Sequence, residues 1–320
     1  LDEAASDYGT VALTGLTVSV TDVDDIDLGA STIFTAFTVN AGGNVTNSGA
    51  IVADGGATTQ VNANGFDITL NQANDFGTVE LDGNTVSVTD VDDIDLGAST
   101  IATAFQVNAG GNVTNSGAIA ADAVTTQVNA NGFDITLNDA ANDFGTVELD
   151  GATVSVTDVD DIDLGASTIT AALNVTAGGN VTDSAAISAN GTIATINAVG
   201  FDITLDEAAS DYGTVALTGN IVSVTDVDDI DLGASTIVTA FTVNAGGNVT
   251  NSGVINANGI TTQVNATGFN ITLDEANDFG TVELLGFDVD VTDADDIVLG
   301  LSTITGTFDL SAGGAVTDGA

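Results

Sequence analysis

The sequence is dominated by one long internal repeat. The string TDVDDIDLGAST occupies 21–32 and returns at 89–100, 157–168 and 225–236, with the degenerate copy TDADDIVLGLST at 292–303. The spacing is 68 residues and shortens once to 67. The opening residues 1–15 recur letter for letter at 205–219, which suggests a window cut from a longer array. We therefore predict one continuous repeat array over 1–320, with copies near 21–88, 89–156, 157–224 and 225–291 and partial copies at both ends.

Within each copy the local pattern alternates with a period of two. Phe66, Ile68 and Leu70 alternate with Asp67 and Thr69, which is typical of half-buried β-strands. No sustained helical stripe occurs, and β-branched residues dominate. Glycine steps tolerate positive φ angles and predict corners between the strands. These steps are Gly42-Gly43, Asn64-Gly65 and Asp82-Gly83.

Three similar pieces inside one copy predict the architecture. They lie near 39–50, 61–70 and 79–88, so a copy would hold about three rungs, although four shorter rungs also fit. The absence of proline agrees with strands that are paired on both sides, because proline leaves a gap in a central ladder. We predict an all-β fold, a parallel β-helix (β-solenoid) built from 68-residue repeats. Propeller blades fit less well, since they carry their own repeat lengths and aromatic signatures.

The composition excludes several functions. The chain has no Lys, Arg, His, Cys, Met, Trp or Pro and a formal charge of −46. Without cationic side chains it would repel nucleic acids and anionic membranes, and no apolar run is long enough for insertion into a bilayer. Catalytic triads that need His or Cys are likewise absent. Ice binding would need a regular Thr-x-Thr face, a spacing that occurs only at 168–170 and 303–307.

The aspartates of the TDVDDID string form the one constellation with obvious chemistry. Closely spaced carboxylate oxygens are the ligands that Ca²⁺ prefers, although the spacing matches neither an EF-hand nor the glycine-rich calcium nonapeptide. The alternative is a solvated acidic corner. No cofactor is required, and Ca²⁺ is the candidate metal. Its candidate ligands are Asp22, Asp24, Asp25, Asp27, Asp90, Asp92, Asp93, Asp95, Asp158, Asp160, Asp161, Asp163, Asp226, Asp228, Asp229 and Asp231.

Paired carboxylates also raise the question of glycoside hydrolysis. That reaction needs an acid and a base held in different environments within one cleft. Here the same Asp-Asp pair recurs in every copy, which indicates a structural ladder and predicts that the chain is not an enzyme. The pairs are Asp24-Asp25, Asp92-Asp93, Asp160-Asp161, Asp228-Asp229 and Asp295-Asp296.

Two further residue classes are expected to be structural. Asparagines such as Asn40, Asn44 and Asn47 predict stacked amide ladders at the corners. Aromatic residues recur at fixed repeat positions and are expected to fill the core, because a sugar-binding platform would have to face outward. These aromatic residues are Phe66, Phe76, Phe133, Phe144, Phe201, Tyr212, Phe269 and Phe279.

The phrase NAGGNVTNSGAI at 40–51 returns at 108–119 and in part at 244–254. Together with GFDITL, ANDFGTVEL and IDLGAST, it resembles repeats of filamentous-haemagglutinin-like adhesins and of related giant bacterial β-strand-repeat surface proteins. The resemblance implies a parallel β-helix that a bacterium exports and displays outside the cell. The secretion-recognition domain of those proteins is absent from this window, and their sequences are not so depleted in Lys and Arg.

These observations predict an extracellular or cell-surface protein of bacterial origin. The main expectation is a structural fibre or matrix protein that associates end to end with itself or continues the same array. The alternative is the stalk of a secreted adhesin or S-layer-like protein, whose part that binds a carbohydrate or another receptor lies outside this window.

Overall fold

The computed structural model describes residues 1, 3, 5–63 and 65–319. These residues form two compact units, Leu1–Val159 and Asp160–Ala320. In the first unit the strands are β1 Thr10–Val11, β2 Thr14–Asp22, β3 Ile26–Leu28, β4 Ser31–Ala41, β5 Val45–Asn47, β6 Ile51–Asn62, β7 Ile68–Asp90, β8 Ile94–Leu96, β9 Ser99–Ala109, β10 Val113–Asn115, β11 Ile119–Asn129, β12 Ile135–Leu137 and β13 Asp143–Asp158.

The second unit is built in the same way. Its strands are β14 Ile162–Leu164, β15 Ser167–Ala177, β16 Val181–Asp183, β17 Ile187–Asn197, β18 Ile203–Leu205, β19 Asp211–Asp226, β20 Ile230–Leu232, β21 Ser235–Ala245, β22 Val249–Asn251, β23 Ile255–Asn265, β24 Ile271–Gly286, β25 Val289–Asp293, β26 Ile297–Leu299, β27 Thr303–Ile304, β28 Phe308–Ala312 and β29 Val316–Asp318. Across the described residues no helix occurs, and therefore none that could span a membrane.

The strands pair in parallel with strands one turn earlier and one turn later. In the first unit β4 pairs with both β2 and β6, and β9 pairs with both β7 and β11. This is the pattern of a chain that winds in one direction and stacks each turn on the last. Each unit is thus a parallel β-solenoid, with about 16 turns in all, and the predicted fold class is confirmed.

One 68-residue copy occupies three and a half turns, between the three and four rungs considered from the sequence. In the first unit, one wall carries a column of register partners, namely Thr10, Asp27, Thr46 and Thr69. The facing wall carries a second column, namely Thr17, Ala36, Thr58, Thr78, Asp95, Thr114, Thr136 and Ser155. Asp27 and its copy Asp95 therefore lie on different walls.

The second unit repeats this alternation. Asp163 lies in a column with Thr182, Thr204 and Ser223, which come one from each of the next three turns. Its copy Asp231 belongs to the other column, between Thr214 and Thr250. Within each unit, equivalent side chains of successive copies consequently face opposite sides of the solenoid.

The core consists of the inward residues of every strand. Ile26, Leu28 and Val39 are at most 1% exposed, and each such burial stabilises the fold by about 1.5–3 kcal/mol. Among the recurring aromatic residues, the prediction of core positions is correct for only one set. That buried set is Phe76, Phe144, Tyr212 and Phe279.

The other aromatic set faces outward, so the prediction that it fills the core is wrong. Phe66, Phe133, Phe201 and Phe269 are 42–49% exposed. Each follows a glycine with positive φ, at 83–89°. Strand pairing begins only two residues later, at Ile68 in the first of these corners, so the phenyl ring lies outside the alternating strand pattern.

The glycine steps serve different purposes. Gly65 has φ +89° and forms a turn as predicted, while its neighbour Asn64 lies outside the described residues. Gly83 lies within β7 at a shift in register between Gly83 and Thr85, where the chain passes from one wall to the other, and an added Cβ would lie 3.0 Å from Ile68. At Gly43 an added Cβ would lie 2.3 Å from Asp25 Oδ1, so close approach between turns requires glycine there.

Candidate functional site

The first aspartate of the repeated string is a buried structural group. Asp22 is 3% exposed and ends β2. Its Oδ2 accepts the Tyr8 N–H at 2.6 Å, and its Oδ1 accepts the Asp24 N–H at 3.0 Å. The same bond, from an N–H fourteen residues earlier, recurs in each copy. The later pairs are Phe76–Asp90, Phe144–Asp158, Tyr212–Asp226 and Phe279–Asp293.

The next aspartates of the string have separate surroundings. Asp24 is exposed, and its pKa is raised by the neighbouring Asp22. Asp25 is also exposed, and its Oδ1 accepts the Asn44 N–H at 2.7 Å, which ties the turn to the next one. The equivalent bonds join Asp93 to Asn112, Asp161 to Asn180 and Asp229 to Asn248.

The fourth aspartate lies on the wall of the solenoid. Asp27 accepts the Ser48 hydroxyl at 2.6 Å, and Asp95 accepts hydroxyls from Thr78 and Thr114. Carboxylates here satisfy hydroxyl donors of adjacent turns, which is a ladder of hydrogen bonds along the axis. Asp163 and Asp231 make the same type of contact with Thr182 and Thr250.

Three of the four aspartates of one string, Asp22, Asp25 and Asp27, therefore bind separate sets of partners, while the side chain of Asp24 contacts Asp22. Within the described residues no group of three or more His, Cys, Asp or Glu side chains is placed to hold a metal ion. The calcium prediction is not tested by this arrangement and stays a hypothesis. The geometry shows that three of the four carboxylates accept hydrogen bonds that join neighbouring turns or close the corner.

Burial shifts the titration of two of these buried aspartates, Asp90 and Asp226. It raises the pKa of Asp90 to about 7 and that of Asp226 to about 6. The N–H donors from Phe76 and Asp92 oppose the shift at Asp90, because they favour the charged form. No cationic side chain exists in the sequence to pair with these groups. Part of this buried ladder is thus protonated near neutral pH.

A second buried polar group was missed by the sequence analysis. Asn74 is fully buried, and its Nδ2 donates to the carbonyls of Leu70 and Thr89. Its Oδ1 accepts from Asn47 Nδ2 at 2.7 Å and from the Ile51 N–H at 3.0 Å. All four hydrogen-bonding positions of this amide are used, so it locks three turns together. The recurrence of Asn74 at 142 and 277 was the available signal.

The third copy replaces this amide pair with another polar pair. At the positions of Asn47 and Asn74 it carries Asp183 and Ser210. Ser210 Oγ donates to Asp183 at 3.3 Å, and the N–H groups of Asp206 and Glu207 donate to the same carboxylate. Both members change together, as expected for side chains whose donors and acceptors must match in a buried site.

The predicted asparagine ladders are present in modified form. Asn62 Nδ2 donates to Asn40 Oδ1 at 2.8 Å across one turn, which is amide stacking. Asn44 instead accepts the N–H of Asp67 at 3.0 Å, and Asn47 joins the buried pair described above. The corner asparagines therefore satisfy backbone groups as often as they contact one another.

The walls carry shallow polar grooves. In the first unit a groove of about 370 Å³ is lined by Thr85, Val86, Ser87, Ala104, Phe105, Gln106, Thr125, Gln127 and Glu148. In the second unit a groove of about 290 Å³ is lined by Thr242, Val243, Asn244, Gln263, Val264, Asn265, Glu283, Leu284, Leu285, Leu301 and Thr303. Gln127 and Gln263, and likewise Glu148 and Glu283, occupy equivalent repeat positions. We call these two surfaces the lateral grooves.

Comparison with known proteins identifies the repeat. A family model of repeats of unknown function (DUF5649) matches 15–81, 83–149, 151–219, 218–285 and 286–320. The starts of these matches advance by 68, 68, 67 and 68 residues, the spacing found in the sequence. No curated protein and no solved structure matches the chain. Because the matches cover nearly all of it, the chain belongs to the family of DUF5649 repeats.

Proposed function

We propose that this chain is an extracellular structural fibre or matrix protein made of stacked solenoid turns. The observation that carries the proposal is the buried aspartate contact, which recurs at the same fourteen-residue separation in every copy. Polar groups repeated in this way stabilise length and stiffness, whereas a catalytic site needs a single asymmetric cleft. We therefore propose no catalytic role.

The proposal includes continuation of the solenoid at its ends. In the last described turn, formed by β27, β28 and β29, Phe308 is 42% exposed and Val316 is 50% exposed. Their equivalents in earlier copies, Phe241 and Val249, are fully buried beneath the next turn. Another turn, from the same polypeptide or from a second copy, would cover this apolar surface and pair the open strand edge.

A bacterial surface location is part of the same proposal. The absence of Lys and Arg removes every trypsin-type cleavage site, which suits a protein exposed outside the cell. The resemblance of NAGGNVTNSGAI to adhesin repeats supports the second candidate, a stalk whose receptor-binding part lies elsewhere. Ca²⁺ would act in either case as a neutralising counter-ion of the aspartates and not as a catalytic cofactor.

The mass of residues 1–320 across a concentration series tests self-association. We expect rods that lengthen in steps of one chain, and Val316→Lys should stop the growth because a buried lysine blocks the open edge. Val23→Lys is the matched control, since Val23 is 51% exposed on a side corner. A monomer at every concentration would contradict end-to-end assembly.

Electron micrographs of the native protein separate the two candidate functions. Homopolymeric filaments favour the fibre, and single rods anchored to an envelope favour the stalk.

A further inference from the structure

The lateral grooves combine features that suit a sugar polymer. A row of polar side chains runs along the axis of the first unit, one from each successive turn. The row consists of Asn71, Ser87, Gln106, Gln127 and Glu148. We propose that the lateral grooves bind an extended neutral glycan, a function independent of whether the chain forms a fibre.

The hydrogen bonds of this row hold its side chains in place. Ser87 Oγ lies 3.2 Å from Gln106 Oε1, and Gln106 Nε2 donates to Gln127 Oε1 at 3.4 Å. Gln127 in turn donates to Glu148. Each amide uses one N–H within the row, and a primary amide has two. Since both glutamines are exposed, the second N–H is available to a ligand hydroxyl without further ordering of the side chain.

The second unit contains the same arrangement. Gln263 Nε2 donates to Glu283 Oε2 at 2.7 Å, and Thr242 precedes them in the same column. In this groove Leu285 and Leu301 add an apolar edge, at 36% and 78% exposure. Thr242, Gln263 and Glu283 occupy the repeat positions of Gln106, Gln127 and Glu148, so the polar row is built by the repeat. The apolar edge belongs to the second groove alone, because Leu285 and Leu301 stand where the earlier copy has Asp150 and Ala166.

An exposed phenylalanine belongs to the corner that adjoins the groove of the first unit. Phe66 is 46% exposed, and its carbonyl accepts the N–H of Asn84, the residue before the groove residue Thr85. An aromatic face next to hydroxyl and amide groups matches a sugar ring, which presents apolar C–H groups on its faces and hydroxyls around its edge. Phe201 has the equivalent repeat position in the second unit, where its carbonyl accepts the N–H of Asn220.

Charge selects the class of glycan. The chain carries −46 charges and no cationic side chain, so a sulfated, phosphorylated or uronic-acid polymer would be repelled. Among the described residues that line each groove, Glu148 or Glu283 is the one ionisable group. Each groove is therefore a strip with a single carboxylate on a strongly anionic molecule, which fits a neutral polymer.

The copies differ at the two positions that correspond to Gln127 and Glu148. In the first, second and fourth full copies, Gln and Glu occupy the last two positions of the row, as in Gln60 and Glu80. In the third copy these positions hold Thr195 and Ala216, which are register partners in the same way. Thr195→Gln with Ala216→Glu should therefore create an additional groove.

The experiment is affinity electrophoresis of residues 1–320 in gels that contain hydroxyethyl cellulose, laminarin or polygalacturonate. We expect at least one of the two neutral polymers to retard the chain, and polygalacturonate not to. The double variant Gln127→Ala and Gln263→Ala should weaken the retardation roughly fivefold or more, as expected for loss of about one hydrogen bond per groove. The variant with Thr195→Gln and Ala216→Glu should strengthen it.

The matched control removes one exposed wall hydroxyl outside the lateral groove of each unit, in Thr114→Ala and Thr182→Ala, and should leave retardation unchanged. Circular dichroism of every variant checks that the strands are retained. The proposal is overturned if neither neutral polymer retards the chain, if the glutamine variant binds as well as the parent, or if polygalacturonate binds more tightly than both.

Discussion

At the scale of single residues, the chain places carboxylates in its interior without any cation to neutralise them. Asp90 and Asp226 are each 2% exposed, and the pKa values rise to about 7 and about 6 because burial disfavours the charged form. The like-charged neighbours Asp92 and Asp228 add to the shift. Such groups link the stability of the fold to pH.

The first prediction concerns this linkage. An unfolded aspartate has a pKa of about 3.9, so between pH 4 and 7 the folded chain binds more protons than the unfolded chain. The free energy of unfolding should therefore fall as pH rises through this range, by at most about 1.4 kcal/mol per pH unit for each full proton. Denaturant titrations at pH 4.5 to 8 measure the slope.

In that experiment the double variant Asp90→Asn and Asp226→Asn should show a shallower slope, because its amides do not titrate. Each amide also turns one donor toward a backbone N–H, so the variant should be less stable at low pH. Asp122→Asn with Asp274→Asn is the control, since both are exposed and the charge change is equal. An identical slope in the parent and the double variant would show that Asp90 and Asp226 do not cause the pH dependence of stability.

A second prediction at this scale concerns Gly43. A methyl group there would lie 2.3 Å from Asp25 Oδ1 and 2.6 Å from the Asp25 nitrogen, and the backbone cannot move without breaking the bond between turns. Gly43→Ala should lower the free energy of unfolding by roughly 1–3 kcal/mol. Gly9→Ala, with no atom within 4 Å of the added methyl, should change it by less than about 0.5 kcal/mol. Chemical denaturation measures both, and equal effects would contradict the close-approach argument.

At the scale of elements, buried amides connect strands that are far apart in sequence. Asn74 precedes Phe76 in β7 and reaches back to Asn47 at the end of β5. The Asp183 and Ser210 pair does the same between β16 and the start of β19. Two chemically different pairs thus do the same thing, since each forms a buried side-chain hydrogen bond between turns.

The third prediction is that these pairs are coupled. Asn47→Asp alone turns a carboxylate toward Asn74 Oδ1, and Asn74→Ser alone removes one of the two acceptors of the Asn47 amide, the other being the Gly49 carbonyl. Each single change should destabilise the fold, while the double change recreates the pair found in the third copy. A double-mutant cycle should give a favourable coupling of about 0.5–3 kcal/mol. If the changes in denaturant midpoint of the two single variants add up to that of the double variant, the side chains at 47 and 74 are not coupled, which would contradict the prediction.

At the scale of the whole molecule, charge and periodicity dominate. The 46 acidic side chains repel one another, and the wall columns bring some of them into adjacent turns, such as Asp290 and Asp309. Cross-strand pairs of like charge weaken a sheet. Hydrophobic burial on every turn must exceed this repulsion for the solenoid to persist in dilute buffer.

The fourth prediction follows from that balance. The melting temperature should rise with NaCl, because salt screens exposed charges over about 10 Å at 0.1 M. Millimolar Ca²⁺ should raise it further than NaCl at equal ionic strength if the aspartate turns bind the ion, and Mg²⁺ serves as the control for valence. Equal melting temperatures in EDTA at low salt and in Ca²⁺ would contradict both the screening argument and the calcium hypothesis.

The sequence by itself determined the repeat, the absence of helix and the parallel solenoid, because a period of two with β-branched residues and a long exact repeat leaves few other folds. Individual side chains in the corners were harder to place. Alternation predicted the burial of Ile68 and Leu70 correctly but failed at Phe66, which precedes the strand. It also gave no means of separating the buried Asp22 from the exposed Asp24, since the turn between them interrupts the alternation.

Only the tertiary structure decided how many turns one copy makes. The register steps vary from 17 residues, at Thr78 and Asp95, to 23 residues, at Thr46 and Thr69. This variation depends on how each corner packs against its neighbours, which no local pattern encodes. The resulting three and a half turns put successive copies on opposite walls within each unit. Equal sequences therefore face different sides, because the length of a copy is not a whole number of turns.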